Sequence, residues 1–343
     1  MSQHESSSPH RNFIGGQWVE SVSGETYRTI NPARPKEVVG TFQASIPQDA
    51  ENAINAAAKA APGWGKMPAP QRGTLLYKAL DIFERRTDEL ARAITVEEGK
   101  PIADATGEVK RAMNILEYSA GEGRRLFGYT TPSELPDTTA YTFKRPLGVV
   151  SIITPWNFPL LLGVAKIAPA LVAGNTFVLK PAPTTPVTSL MVGEMAADIL
   201  PAGVLNIVTD ANDLGPALTD HPDVAKVSFT GSTATGKKVM AAAASSLKRI
   251  TLELGGNDAA ILLDDIDVEA AAPKVFGGAF TNAGQVCIAV KRLYVHESQY
   301  DAMCEELAKI ADETVQGDGL EQGILVGIHH THAQCALIIQ RQR

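Results

Sequence analysis

From residue 148 to residue 254 the chain alternates short apolar, β-branched runs with helical stretches, and this alternation constrains the fold more than any other feature. GVVSIIT (148–154), NTFVLK (175–180), GVLNIV (203–208), VAKVSFT (224–230) and RITLEL (249–254) read as strands. Residues 160–174, 188–200, 213–220 and 232–244 read as the helices between them. Strands that are apolar along their whole length are those buried on both faces, so the pattern predicts an α/β fold: a Rossmann-like, five-stranded parallel sheet with helices above and below. Ligands of such sheets bind outside the carboxyl ends of the strands.

Upstream, residues 1–11 are polar and read as a disordered tail. FIGGQWVE (13–20) looks like a short strand with a Gly-Gly turn, and 47–126 reads as helical, with apolar positions at helical spacing and a stop at Gly99. Residues 130–147 are β-prone and punctuated by proline, the mark of a hairpin. Downstream of 254 come a strand, a helix, a glycine-rich turn into Cys287, a strand at 291–297 and an amphipathic helix at 298–315. The expected organisation is a dinucleotide-binding domain from 12–129 and 148–252, an arm at 130–147, an incomplete catalytic domain at 253–322 and an aberrant tail at 323–343.

Charge narrows the function classes. Lys and Arg number 31 against 38 Asp and Glu, a net charge of −7, which disfavours nucleic acid as a partner. No apolar run approaches the roughly 20 residues of a membrane span. Three cysteines cannot build a disulfide framework, and the polar N-terminus does not read as a secretory leader. The expected compartment is the cytoplasm.

Four motifs carry chemistry. Cys287 lies in TNAGQVCIAVKR, where Ala283 and Gly284 allow close backbone approach and Asn282 and Gln285 flank the thiol. A reactive thiol needs surroundings that favour thiolate, whereas Cys304, beside Met303 and Leu307, reads as a packing residue. Glu253 closes an apolar strand before Gly255 and Gly256; partial burial there suits general-base work, and an ion-paired acid is the plainer alternative. FTGSTATG (229–236) is a strand end, a glycine turn and a helix start, an anion site without the G-x-G-x-x-G spacing or a P-loop lysine. In TPWNFPLLL (154–162) the Asn157 amide sits among apolar residues and needs a partner, either a reaction oxyanion or local backbone. Lys180, ending FVLK, either bonds a cofactor ribose or caps the strand in solvent.

Together these motifs, with FIGGQWV, NPARPKEVVG and KPAPTTP, resemble the aldehyde dehydrogenase superfamily over nearly the whole chain up to about Gly319. The resemblance implies an NAD(P)-dependent oxidoreductase that takes an aldehyde to a carboxylic acid through a cysteine thiohemiacetal and thioester. It implies Cys287 as nucleophile, Glu253 as the base for the hydrolytic water, Asn157 as oxyanion donor and Lys166 in proton relay. It places the cofactor against Thr154, Pro155, Trp156, Lys180, Pro183, Phe229, Thr230, Gly231, Ser232, Gly236, Leu254 and Gly255, with Trp156 and Phe229 lining the cleft. It makes the 130–147 arm an oligomerisation element of a homodimer or tetramer, and a small aldehyde the only other partner. NAD is the expected cofactor. Pro183 stands where the family often has a ribose-binding glutamate, which leaves NADP open.

Two further expectations concern the chain's end. Family members are longer, and after about Gly323 the text ILVGIHHTHAQCALIIQRQR reads as out of frame, so His329, His330, His332 and Cys335 are not taken as a metal site. A truncated catalytic domain is expected to expose apolar surface over 258–315, which brings a second reading: a weak or inactive fragment that serves as a nucleotide-binding or interaction subunit. A CoA-acylating enzyme fits less well, because that chemistry has no use for a water-activating base at 253.

Overall fold

The computed structural model describes residues 8–328, and its frame is a seven-stranded sheet. β1 (Asn12–Ile14) and β2 (Gln17–Val19) form a hairpin turned by Gly15 and Gly16, both at positive φ. β3 (Thr26–Asn31) and β4 (Arg34–Gln43) form a second antiparallel hairpin. Helices α1 (Pro47–Lys66), α2 (Ala69–Arg85), α3 (Thr87–Glu98) and α4 (Ile102–Glu122) follow, and Gly99 ends α3 at φ 103°. β5 (Thr130–Thr131) and β6 (Ala140–Tyr141) make a minimal hairpin.

Next comes the alternating run: β7 (Val149–Ile153), α5 (Pro159–Val172), β8 (Thr176–Lys180), α6 (Val187–Ala196), β9 (Leu205–Ile207), α7 (Gly215–Thr219), β10 (Val224–Thr230), α8 (Thr233–Ala244) and β11 (Arg249–Glu253). β12 (Asp258–Leu262), α9 (Val268–Phe280), β13 (Val290–Val295), α10 (Tyr300–Glu313), β14 (Gln316–Gly317) and β15 (Val326–Gly327) complete the described chain.

The sheet order is β11-β10-β7-β8-β9-β1-β2, with every pair from β11 to β9 parallel. The chain starts at β7, runs outward through β8 and β9, and returns to the other side of β7 with β10 and β11. The reversal falls between β7 and β10, and that crevice is where doubly wound sheets bind ligands. Side chains alternate across the sheet. Val150, Ile152, Phe177 and Leu179 join one buried cluster with α2, α4 and α5, while Val149, Ile153 and Val178 join another with α1 and α8.

Several expectations are revised. The five parallel strands are those read from the sequence, but the sheet does not stop there: Phe13 of β1 pairs antiparallel with Ile207 and adds the β1–β2 hairpin at its edge. Residues 8–11, expected to fray, are held: the His10 N–H donates to the Thr41 carbonyl at 2.8 Å and the imidazole stacks on Phe42. The β3–β4 hairpin was not anticipated at all. Beyond Gly323, β15 pairs in parallel with β14, and Val326 is buried. The expected exposure over 258–315 is present: Ile261, Leu263 and Ile288 are 70%, 63% and 73% exposed. Among the described residues, no helix is long and apolar enough to cross a membrane.

Candidate active site at the sheet switch point

The crevice between β7 and β10 is built from two strand ends. β7 runs into Thr154, half-buried Pro155 and Trp156, and then Asn157, before α5 starts at Pro159. β10 ends at Thr230, and Gly231 turns the chain into α8, whose N-cap Ser232 accepts from the Thr235 N–H at 3.2 Å. The Gly231 N–H donates to the Glu253 carbonyl at 3.0 Å, tying this turn to the end of β11. Glycine is required at two points. A Cβ on Gly231 would fall 2.6 Å from the Phe229 ring, and one on Gly236 would fall 2.5 Å from Leu254. Leu254 and Gly255 therefore cross directly over the first turn of α8.

A dinucleotide fits this turn on three counts. The helix start offers free N–H groups and a positive dipole end. The tight glycine turn lets backbone approach a phosphate. The hydroxyls of Thr154 and Thr230, both buried at these strand ends, have no partner within the protein. Phe229, expected to line the cleft, is only 4% exposed and packs beneath Gly231 within the core. Lys180 is not a solvent cap: it is 4% exposed, and its ammonium donates 2.8 Å to Asp210 and 3.2 Å to the Pro181 carbonyl. That leaves one of its three donors for a ligand. The Pro183 carbonyl accepts from the Thr29 hydroxyl at 2.9 Å.

Two loops meet over the crevice. Cys287 is exposed and follows a turn in which Asn282, Ala283 and Gly284 are all left-handed, with φ of 52°, 55° and 75°. Gly256 packs so tightly on the Cys287 carbonyl that no Cβ fits there. The Glu253–Gly256 segment is thereby seated directly on the thiol loop. Glu253 itself is exposed, contrary to the partial burial expected of it; β11 is the outermost strand, so its end is flanked by a strand on one side only. Lys166, on α5, has its ammonium held below the usual lysine range by burial, against the opposing pull of Glu253 and reinforced by Lys226. The Asn157 amide donates 2.6 Å to the Gln285 carbonyl. One N–H of that amide orients the side chain and the second is left for another acceptor.

The sequence reading missed the charges beneath these loops. Glu98, Lys100, Glu108 and Asn282 are 1%, 2%, 1% and 5% exposed. The run Glu97-Glu98-Gly99-Lys100-Pro101 looks like a solvated helix end; the only available signal was three charges crowding a glycine. Among the described residues no cluster of His, Cys, Asp or Glu is arranged to hold a metal, and His329, His330, His332 and Cys335 lie outside them.

An α/β sheet wound twice about a switch point, with a glycine turn on one side and a thiol loop on the other, defines a class of nucleotide-binding folds. The chain belongs to the aldehyde dehydrogenase family, whose model matches residues 18–341. It is 40% identical over 317 residues to succinate-semialdehyde dehydrogenase [NADP(+)] GabD of Escherichia coli, covering 92% of this chain and 66% of that protein. It is 44% identical over 333 residues to phenylacetaldehyde dehydrogenase of Pseudomonas fluorescens, covering 93% of this chain and 65% of that one. A crystal structure of betaine aldehyde dehydrogenase from Staphylococcus aureus in complex with NAD+ superposes with a TM-score of 0.96 at 34% identity, over 99% of this chain and 69% of that one. The chain thus spans just under two thirds of the length of these curated relatives.

Proposed function

We propose that the chain oxidises an aldehyde to a carboxylic acid with NAD(P)+ through a covalent intermediate on Cys287. The observation that carries this reading is the meeting of the two loops, in which the segment following Glu253 packs without a gap on the Cys287 carbonyl. Thr154, Thr230, Gly231 and Ser232 would hold the dinucleotide, with Pro155, Trp156, Lys180, Pro183, Gly236, Leu254 and Gly255 around it, and its nicotinamide would supply the hydride acceptor.

The chain's own residues do the rest. The Cys287 thiolate attacks the aldehyde carbon. The free N–H of Asn157 stabilises the resulting oxyanion, a contribution of about 3 kcal/mol for one such donor. Once the hydride has left the thiohemiacetal and a thioester remains on Cys287, Glu253, open to solvent, takes a proton from the water that attacks it, which releases the carboxylic acid and the Cys287 thiolate. Lys166, its ammonium held low by burial, relays that proton. The exposed aromatics of the 127–143 segment, Phe127, Tyr129, Tyr141 and Phe143, suit association with a second copy.

The test is an NAD+- and NADP+-linked assay of the full chain on acetaldehyde, propanal, benzaldehyde, phenylacetaldehyde and succinate semialdehyde. Turnover on at least one aldehyde is expected, lost in Cys287→Ala and reduced roughly 10²–10³-fold in Asn157→Ala. No turnover on any of them, or turnover that survives Cys287→Ala, overturns the proposal.

A further inference from the structure

None of the roles above uses the buried charges under the loops, yet those charges join the two halves of the site. Lys100 Nζ donates 2.7 Å to Glu108 Oε2 and 2.7 Å to the main-chain carbonyl of Asn157, and it lies 3.8 Å above the Phe158 ring. Glu108 Oε1 accepts the N–H groups of Leu160 and Leu161, at 3.0 Å each, in the first turn of α5. On the other side, Asn282 Nδ2 donates 2.9 Å to Glu98 Oε1 and 3.1 Å to the same Asn157 carbonyl. That carbonyl is therefore gripped from both directions, once by an ammonium from the helical layer and once by an amide from the thiol loop. With both lone pairs engaged, the peptide plane at Asn157 has no freedom left to turn. The thiol loop also needs an external hold, because Ala283 sits in a left-handed conformation that a side chain disfavours.

We propose that Glu98, Lys100 and Asn282 are positioning residues that clamp the Cys287 loop to the start of α5, so that the thiol and the Asn157 amide are presented together. This rests on the reading of Cys287 as the nucleophile. The clamp acts on the thiol's reactivity before any aldehyde arrives.

The experiment is the rate of iodoacetamide alkylation at each cysteine of the full chain, read by peptide mass spectrometry, for the parent protein, Asn282→Gly, Glu98→Ala and Glu98→Gln. Asn282→Gly removes the amide, allows the left-handed backbone and leaves every charged side chain in place, at the cost of one of the hydrogen bonds that buried Glu98 accepts. It is expected to slow alkylation of Cys287 at least tenfold with a modest fall in melting temperature, leaving the rate at Cys304 unchanged, since that thiol is exposed on α10 and not packed as its neighbours imply. Glu98→Ala is expected to slow Cys287 alkylation as much, with a larger loss of melting temperature, while Glu98→Gln, which keeps an oxygen for Asn282 but turns its NH2 toward the Lys100 N–H bound by the other carboxylate oxygen, restores the rate in part. If Glu98→Ala fails to fold, Asn282→Gly decides alone. Alkylation of Cys287 in Asn282→Gly within twofold of the parent rate, or faster, overturns the proposal. Alkylation needs neither aldehyde nor cofactor, so an absence of turnover strikes the functional reading and leaves this result standing.

Discussion

β7 and β8 on one side, and β12 and β13 on the other, are parallel pairs of similar length, yet they live in opposite surroundings. Every residue of β7 and β8 is buried, because helices cover both faces of the large sheet. β12 and β13 stand as a separate two-stranded sheet in which no residue is buried. Strand pairing is thus common to both, and what differs is the apolar surface removed from water. The lesson is that the candidate site straddles a firm half and a thin half: Asn157 belongs to the first and Cys287 to the second.

The largest contrast should appear in amide hydrogen exchange. Protection in β7, β8 and β10 is expected to track global unfolding, while β12 and β13 exchange through local opening and are orders of magnitude less protected. Equal protection in the two regions would erase the distinction.

Truncation in the firm half comes next. Phe177→Ala, at a fully buried position, should lower stability by about 3–5 kcal/mol in denaturant titration. A loss under 1 kcal/mol would mean that the sheet centre is looser than its burial implies.

A pH effect of intermediate size should come from the helical layer. Burial pushes the Glu97 carboxyl up to about 8, from an ordinary value of 4.5, although it accepts hydrogen bonds from Val187 and Thr188 at the start of α6. Between those values the folded chain binds more protons than the unfolded chain, so stability falls as pH rises. The melting temperature should drop from pH 5 to pH 8, and Glu97→Gln should reduce the slope, leaving the share of Glu98, whose carboxyl burial pushes up to about 7. A slope undiminished by the substitution assigns it elsewhere.

The smallest effect sharpens the contrast from the other side. Ile261→Ala, 70% exposed on β12, should change stability by no more than about 0.5 kcal/mol. A larger loss would show that something covers this strand in solution.

How much of this was legible beforehand follows the range of the interactions. The alternating run was readable because each strand and helix announces itself over five to fifteen neighbouring residues. Gly231 and Gly236 were readable for the same reason. The β3–β4 hairpin was hidden by Pro35 inside β4, since proline argues against a strand from local sequence. β1 could be seen as a strand, but its place beside β9 could not. The buried bond between Asn282 and Glu98 joins residues 184 positions apart, and nothing near either one marks it. Glu253 misled because apolar neighbours imply burial, while strand order placed it at an open edge.

The seam where Gly256 rests on the Cys287 carbonyl has one more consequence. A lone hydrogen atom is the spacer there, so residue 256 works as a shim: side chains of graded bulk would pry the two segments apart in measured steps. Under the function proposed above, such a series would gauge how far the Glu253 segment can be moved from the thiol loop before thioester hydrolysis slows.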